Sequence, residues 1–67
     1  MTRLDVEQRA GRWHVELRLL SEPDAVRRIA TLARCSTEHE ALSYALGHAR
    51  VNEWPVFVEG VRVLVPE

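Results

Sequence analysis

The sequence predicts a small two-layer α+β domain: an antiparallel sheet of two β-hairpins packed on one or two helices, in the order ββααββ, with βββαββ as the rival order. Three observations carry the prediction. Apolar and charged residues alternate with period two between Leu4 and Leu19, a helix-capping signal at Thr37 precedes apolar residues at helical spacing, and a β-branched run with Glu59-Gly60 at its middle closes the sequence. No repeat, low-complexity tract or linker divides residues 1–67, so a single domain is expected.

The first hairpin follows from register. Leu4 and Val6, then Trp13, Val15, Leu17 and Leu19, are interleaved with Arg3, Asp5, Glu7, His14, Glu16 and Arg18. A two-residue turn at Ala10-Gly11 pairs Gln8 with Trp13, Val6 with Val15 and Leu4 with Leu17, which gathers the apolar residues on one face. A three-residue turn would set Val6 opposite His14, so the hydrophobic pattern selects the even loop. The same register sets Asp5 opposite Glu16 and Arg3 opposite Arg18. Like charges in that position are unfavourable unless diagonal neighbours of opposite sign compensate.

A first helix is expected to start at Ser21-Glu22-Pro23-Asp24. Ser21 can cap it, Pro23 falls in the first turn where its missing N–H is harmless, and Asp24 takes the acidic capping-box position. On a 3.6-residue period Ala25, Val26, Ile29, Ala30, Leu32 and Ala33 share one arc, with Arg27, Arg28, Thr31 and Arg34 on the other. A strand from about Arg27 to Cys35 is the rival reading, and it places Arg on both faces. A second helix starts at Thr37, which forms a T-x-x-E capping box with Glu40 ahead of Ala41, Leu42, Ala45, Leu46 and Ala49. Gly47 marks a close helix approach or weakens the last turn, and Asn52 is the expected left-handed stop.

In the closing run, a two-residue turn at Glu59-Gly60 puts Trp54, Val56, Val58, Val61, Val63 and Val65 on one face. Phe57, Arg62 and Leu64 then occupy the other. Pro55 removes a ladder donor, so its strand lies at an edge or only begins there.

Composition narrows the function classes. The chain has nine basic residues, all Arg, against ten acidic ones, 46% hydrophobic residues and a formal charge of −1. A chain this short buries only about 60% of its unfolded surface, so it has one marginal core, and a partner or second copy is in keeping with that. The lone Cys35 forms no intrachain disulfide, which points to a reducing compartment, and the charged N-terminal residues do not form a signal peptide. A cytoplasmic location, with no membrane span, is expected. Near-zero net charge argues against strong general phosphate binding but leaves room for a local basic patch.

Two surfaces emerge as candidates. Arg27, Arg28 and Arg34 on the first helix offer forked donors suited to phosphate or carboxylate, though Asp24, three and four residues earlier, would also form ordinary helix-surface pairs with the first two. Phe57, Arg62 and Leu64 on the last hairpin form a half-apolar outer face, whereas the first hairpin's is wholly charged. Clustered exposed apolar residues of this kind mark partner surfaces, unless a helix or the Trp54 loop covers them.

Chemistry-bearing constellations are weak by comparison. Cys35-x₃-His39 resembles half of a zinc site, with His48 too far around the helix to join it, so no metal is expected. Cys35 beside a helix N-terminus with His39 four residues on is the sharpest catalytic arrangement, yet the chain leaves little room for a water-excluding pocket. A structural thiol and a Tyr44–His48 packing pair are the simpler readings. Trp13 and Trp54 lie on core faces and serve packing.

The expectation is a small non-enzymatic intracellular protein-interaction or regulatory module acting as a homodimer, without cofactor or small-molecule substrate. The alternative is a nucleic-acid-binding regulator that uses an Arg-rich helix face.

Overall fold

The computed structural model describes residues 2–22 and 25–64. Strands β1 (Thr2–Arg9), β2 (Arg12–Glu22) and β3 (Ala25–Cys35) are followed by helix α1 (Glu38–Asn52) and by strands β4 (Val56–Val58) and β5 (Val61–Val63). This is the βββαββ order, so the expected ββααββ order with two helices is corrected. The five strands form one sheet in the order β3-β2-β1-β4-β5.

The first hairpin has the register that the alternation demands, with Val6 opposite Val15, Leu4 opposite Leu17 and Asp5 opposite Glu16. Ala10 and Gly11 both have positive φ, 51° and 76°, which gives the turn the twist that two-residue hairpins require. The second hairpin is likewise as expected: Val58 faces Val61 across Glu59 and Gly60, whose φ angles are 48° and 82°. Val65 of that hairpin lies outside the described residues. Pro55 stands just before β4, and its carbonyl accepts a 2.9 Å hydrogen bond from the Leu4 amide.

Residues 25–35 correct the first-helix reading. Pro23 and Asp24, which were to start that helix, lie outside the described residues; Ala25–Cys35 pairs antiparallel with β2. Two bulges explain the misleading period. Val15 and Glu16 pair with Ala33 and Thr31, leaving Leu32 extra, and Leu17 and Arg18 pair with Ala30 and Arg28, leaving Ile29 extra. A bulge sets two residues against one, so residues of one face recur every three positions and imitate a helix. Strand pairing wins because a long β2 would otherwise keep a row of unpaired backbone groups at a bare edge.

The sheet is mixed, not wholly antiparallel. Three strands alternate in direction and one helix runs back, so β4 re-enters in the direction of β1 and pairs parallel with it, Leu4 to Val56 and Val6 to Val58.

Thr37 caps α1, its hydroxyl accepting from the Glu40 amide at 3.2 Å. The left-handed stop is Glu53, φ 58°, and not Asn52, which ends the helix and donates from its side-chain amide to the His48 carbonyl. Ala41, Ala45 and Ala49 line the buried side of α1 and pack on Leu4, Val6, Val15 and Val56 of the sheet. Trp13, Leu17, Leu32, Ala33, Leu42, Leu46 and Trp54 pack around this core. Gly47 faces open space, so close helix approach is not its role. No helix among the described residues is long and apolar enough to cross a membrane.

Candidate functional site

The helix covers one face of the sheet and leaves the other open. Alternation and register assign the open face residue by residue. Thr31, Glu16, Asp5, Phe57 and Arg62 form a row across all five strands. Arg28, Arg18 and Arg3 form a second row on one side of it, and Arg34, His14 and Glu7 a third on the other. Arg9 and Arg12 face each other at the hairpin end.

The two candidate surfaces read from the sequence therefore merge. Phe57 and Arg62 are direct cross-strand partners, and Arg28 and Arg34 lie on the same face, three strands from Phe57 and four from Arg62. Leu64 lies just past β5 and is 91% exposed. Arg27 departs from the expected cluster. It pairs with Leu19, so the strand's alternation turns it from the face of its neighbour Arg28. Its expected pairing with Asp24 lies outside the described residues.

The like-charge pairs in the hairpin register are resolved by contacts along β1 and diagonally across to β2. Arg3 holds Asp5 through two hydrogen bonds, 2.8 and 3.2 Å. Arg18, opposite Arg3, reaches past Asp5, from which it stands 3.5 Å, to grip Glu7 through two more, 2.8 and 2.7 Å. Glu16 accepts from Arg9 and from the Thr31 hydroxyl, with Arg28 at 3.9 Å. Paired, fork-shaped contacts of this kind are the stronger form of ion pair. Among the described residues, no buried side-chain N or O atom lacks a hydrogen-bond partner.

Depth separates Asp5 and Glu16 from the arginines over Glu16, whereas Glu7, 25% exposed, lies no deeper than its partner Arg18 at 16%. The side chains of Asp5 and Glu16 are 1% and 0% exposed, whereas those of Arg9 and Arg28 above Glu16 are 46% and 60% exposed. The carboxylates sit on the backbone and the longer guanidinium arms lie over them. Glu7 is held below the ordinary carboxylate value of 4.5, chiefly by its hydrogen bonds from Arg18. For Glu16 burial pushes upward, but hydrogen bonds from Thr31 and Arg9 and the charges of Arg9 and Arg28 outweigh it and lower the value. The Arg18 guanidinium is raised by its hydrogen bonds to Glu7. All three groups are thus held charged.

Counting by face gives a marked asymmetry. Among the side chains described, Arg3, Arg9, Arg12, Arg18, Arg28, Arg34 and Arg62 belong to the open face, seven of the nine arginines, against the three carboxylates of Asp5, Glu7 and Glu16. The other described side chains carry two arginines, Arg27 and Arg50, and four carboxylates, Glu38, Glu40, Glu53 and Glu59. A formal charge of −1 hides two regions of opposite sign. Phe57, half-buried, has the Arg3 guanidinium carbon 4.4 Å from its ring centroid, a cation–π contact that removes its ring from easy access.

The other candidates disperse. Cys35 ends β3 opposite Trp13 and is half-buried, while His39 is exposed in the first turn of α1. His48 packs on Tyr44 with ring centroids 4.6 Å apart, as expected. Among the described residues no group of three or more His, Cys, Asp or Glu side chains is placed to hold a metal. Asp5, Glu16 and Arg18 were the residues whose importance the sequence understated. Their signal was the pairing of like charges in an otherwise favourable register.

No family model matches the chain, and neither curated proteins nor solved structures contain a significant match to it.

Proposed function

We propose that this protein is a small non-enzymatic interaction module, regulatory or accessory in kind, which meets an anionic partner through the open face of its sheet. One observation carries the reading: on this face the Asp5 and Glu16 carboxylates are covered while Arg9 and Arg28 reach out over Glu16 to solvent, so a partner meets positive charge on a chain whose net charge is −1. Arginine forks bind carboxylate and phosphate in two-point fashion, and a rigid sheet holds them at fixed spacing.

Self-association through Phe57 and Leu64 meets a charge objection on this face. Two copies set face to face would oppose their arginine-rich surfaces, and like-charge juxtaposition is costly. Setting the open face of one copy on the acidic helix side of the next would use unlike patches, and such contacts close only into rings or run on as filaments.

Retention on heparin, a generic polyanion, tests the reading. The wild-type protein is expected to bind and to elute with salt, with the triple variant Arg28→Gln, Arg34→Gln, Arg62→Gln eluting early and Arg27→Gln unchanged. A protein that passes through unretained at low salt would remove the proposal. Light scattering across a dilution series, with and without Leu64→Asp, addresses the homodimer: a dimer lost on this substitution would give the face to a second copy.

A further inference from the structure

Resting on that reading of the open face, we propose that its occupant is the phosphate backbone of a nucleic-acid duplex. Three features of the face select this partner over an acidic protein or a single strand.

The first is where the charge lies. Protein–protein interfaces deplete charge at their centre and place aromatic and aliphatic anchors there, whereas nucleic-acid interfaces are more polar and more positively charged. Here the centre is the Asp5, Glu16, Arg3 and Arg18 network, and the half-buried Phe57 lies against Arg3. An apolar anchor from a protein partner finds no pocket in that arrangement.

The second is the exposed rim. Arg12, Arg34 and Arg62 are exposed and have no carboxylate partner among the described residues, and Arg28 has only the 3.9 Å approach to Glu16. Arg28 and Arg34 stand opposite Arg18 and His14, four residues apart on β2, which is roughly 13 Å at strand rise. From β3 to β5 the sheet spans four strand spacings, roughly 19 Å. Over that length a duplex displays about ten phosphates, at one per ~1.7 Å of axis. The acidic remainder of the chain repels the same backbone, so docking is one-sided.

The third concerns stacking. Single strands are held by bases laid on accessible aromatic rings, and Phe57 is the one Phe, Tyr or Trp of this face among the described residues, with the half-buried His14 imidazole the other ring. Trp13 and Trp54 pack with the core on the helix side, and Tyr44 is on α1. A duplex turns its phosphates outward and keeps its bases stacked inside. Contacts from this face are therefore to the backbone and independent of base sequence.

Fluorescence anisotropy tests the proposal with labelled DNA and RNA duplexes of about 20 base pairs, the corresponding single strands, and polyglutamate of matched charge. Both duplexes are expected to bind at about 50 mM salt irrespective of sequence. With about four phosphates neutralised, log affinity falls against log salt with a slope of about −3 to −4, so binding weakens about a hundredfold between 50 and 200 mM. Arg34→Gln and Arg62→Gln, exposed and outside the ion-pair network, each reduce the slope magnitude by about 1, and Arg50→Gln on the helix leaves it unchanged. Tighter binding of single strands or polyglutamate than of duplex would overturn the duplex assignment while leaving an anion-docking face. No binding to any of these probes would overturn both.

Discussion

The two faces of the sheet bury their side chains by opposite means. On the helix side Leu4, Val6, Val15 and Val56 are covered by alanines at four-residue spacing, and the stabilisation comes from apolar surface removed from water. On the open side Asp5 and Glu16 are covered equally well, but by one layer of arginine and threonine side chains whose outer ends remain wet. Complete burial therefore has a different energetic meaning on the two sides. Losing an apolar core residue leaves a cavity, while losing a covered carboxylate frees arginines that can turn back to solvent.

The largest expected effect is therefore on the helix side. Leu4→Ala removes the largest fully buried apolar side chain and should destabilise by about 2–5 kcal/mol, enough to unfold much of a domain this small. Urea unfolding followed by circular dichroism checks this. A midpoint close to wild type would mean that the sheet core can collapse around the loss.

Glu16→Ala should cost less despite equal burial. Removing one partner of a deeply buried pair costs about 3–5 kcal/mol, and surface pairs are worth about 0–1, so a value of about 1–2 follows from arginines that are half exposed. If the loss equals that of Leu4→Ala, the two faces are energetically alike and the contrast fails.

Acid sharpens the same point. Glu7 and Glu16 titrate below their ordinary value of 4.5 in the fold, so the unfolded chain binds protons first as pH falls. Their contribution is fully present above that value and is lost as pH drops through the lowered folded values. Thermal melts from pH 7 to pH 3 should show the loss in this acid range, and Arg18→Gln should diminish it by releasing Glu7. A melting temperature independent of acid would sink the assignment.

The smallest effect lies on the outer side of α1. Gly47 faces open space inside a helix, so Gly47→Ala should stabilise by about 0.5–1 kcal/mol, read as a raised melting temperature. Destabilisation would show that this helix face needs the room.

The residues of the candidate surface were visible in the sequence, though not their common location. Phe57 and Arg62 followed from the Glu59-Gly60 turn, and the opposition of Asp5 to Glu16 followed from Ala10-Gly11. Arg28 and Arg34 carry a helical period in the sequence because the bulges at Ile29 and Leu32 space that strand by threes. The same helical period sets Arg27 beside them, whereas in a strand adjacent residues face opposite ways.

What the sequence determined alone is what short-range chemistry controls. Even-loop turns set the register of both hairpins, and Thr37 with Glu40 starts the helix, because each decision involves residues close in the chain. Tertiary structure decided the remainder. The edge of β2 drew residues 25–35 into a strand, and the single helix returned the chain so that β4 lies parallel to β1. Together these bring Arg28, Arg34 and Arg62 onto one face, since distant strands share a surface only once their order in the sheet is set.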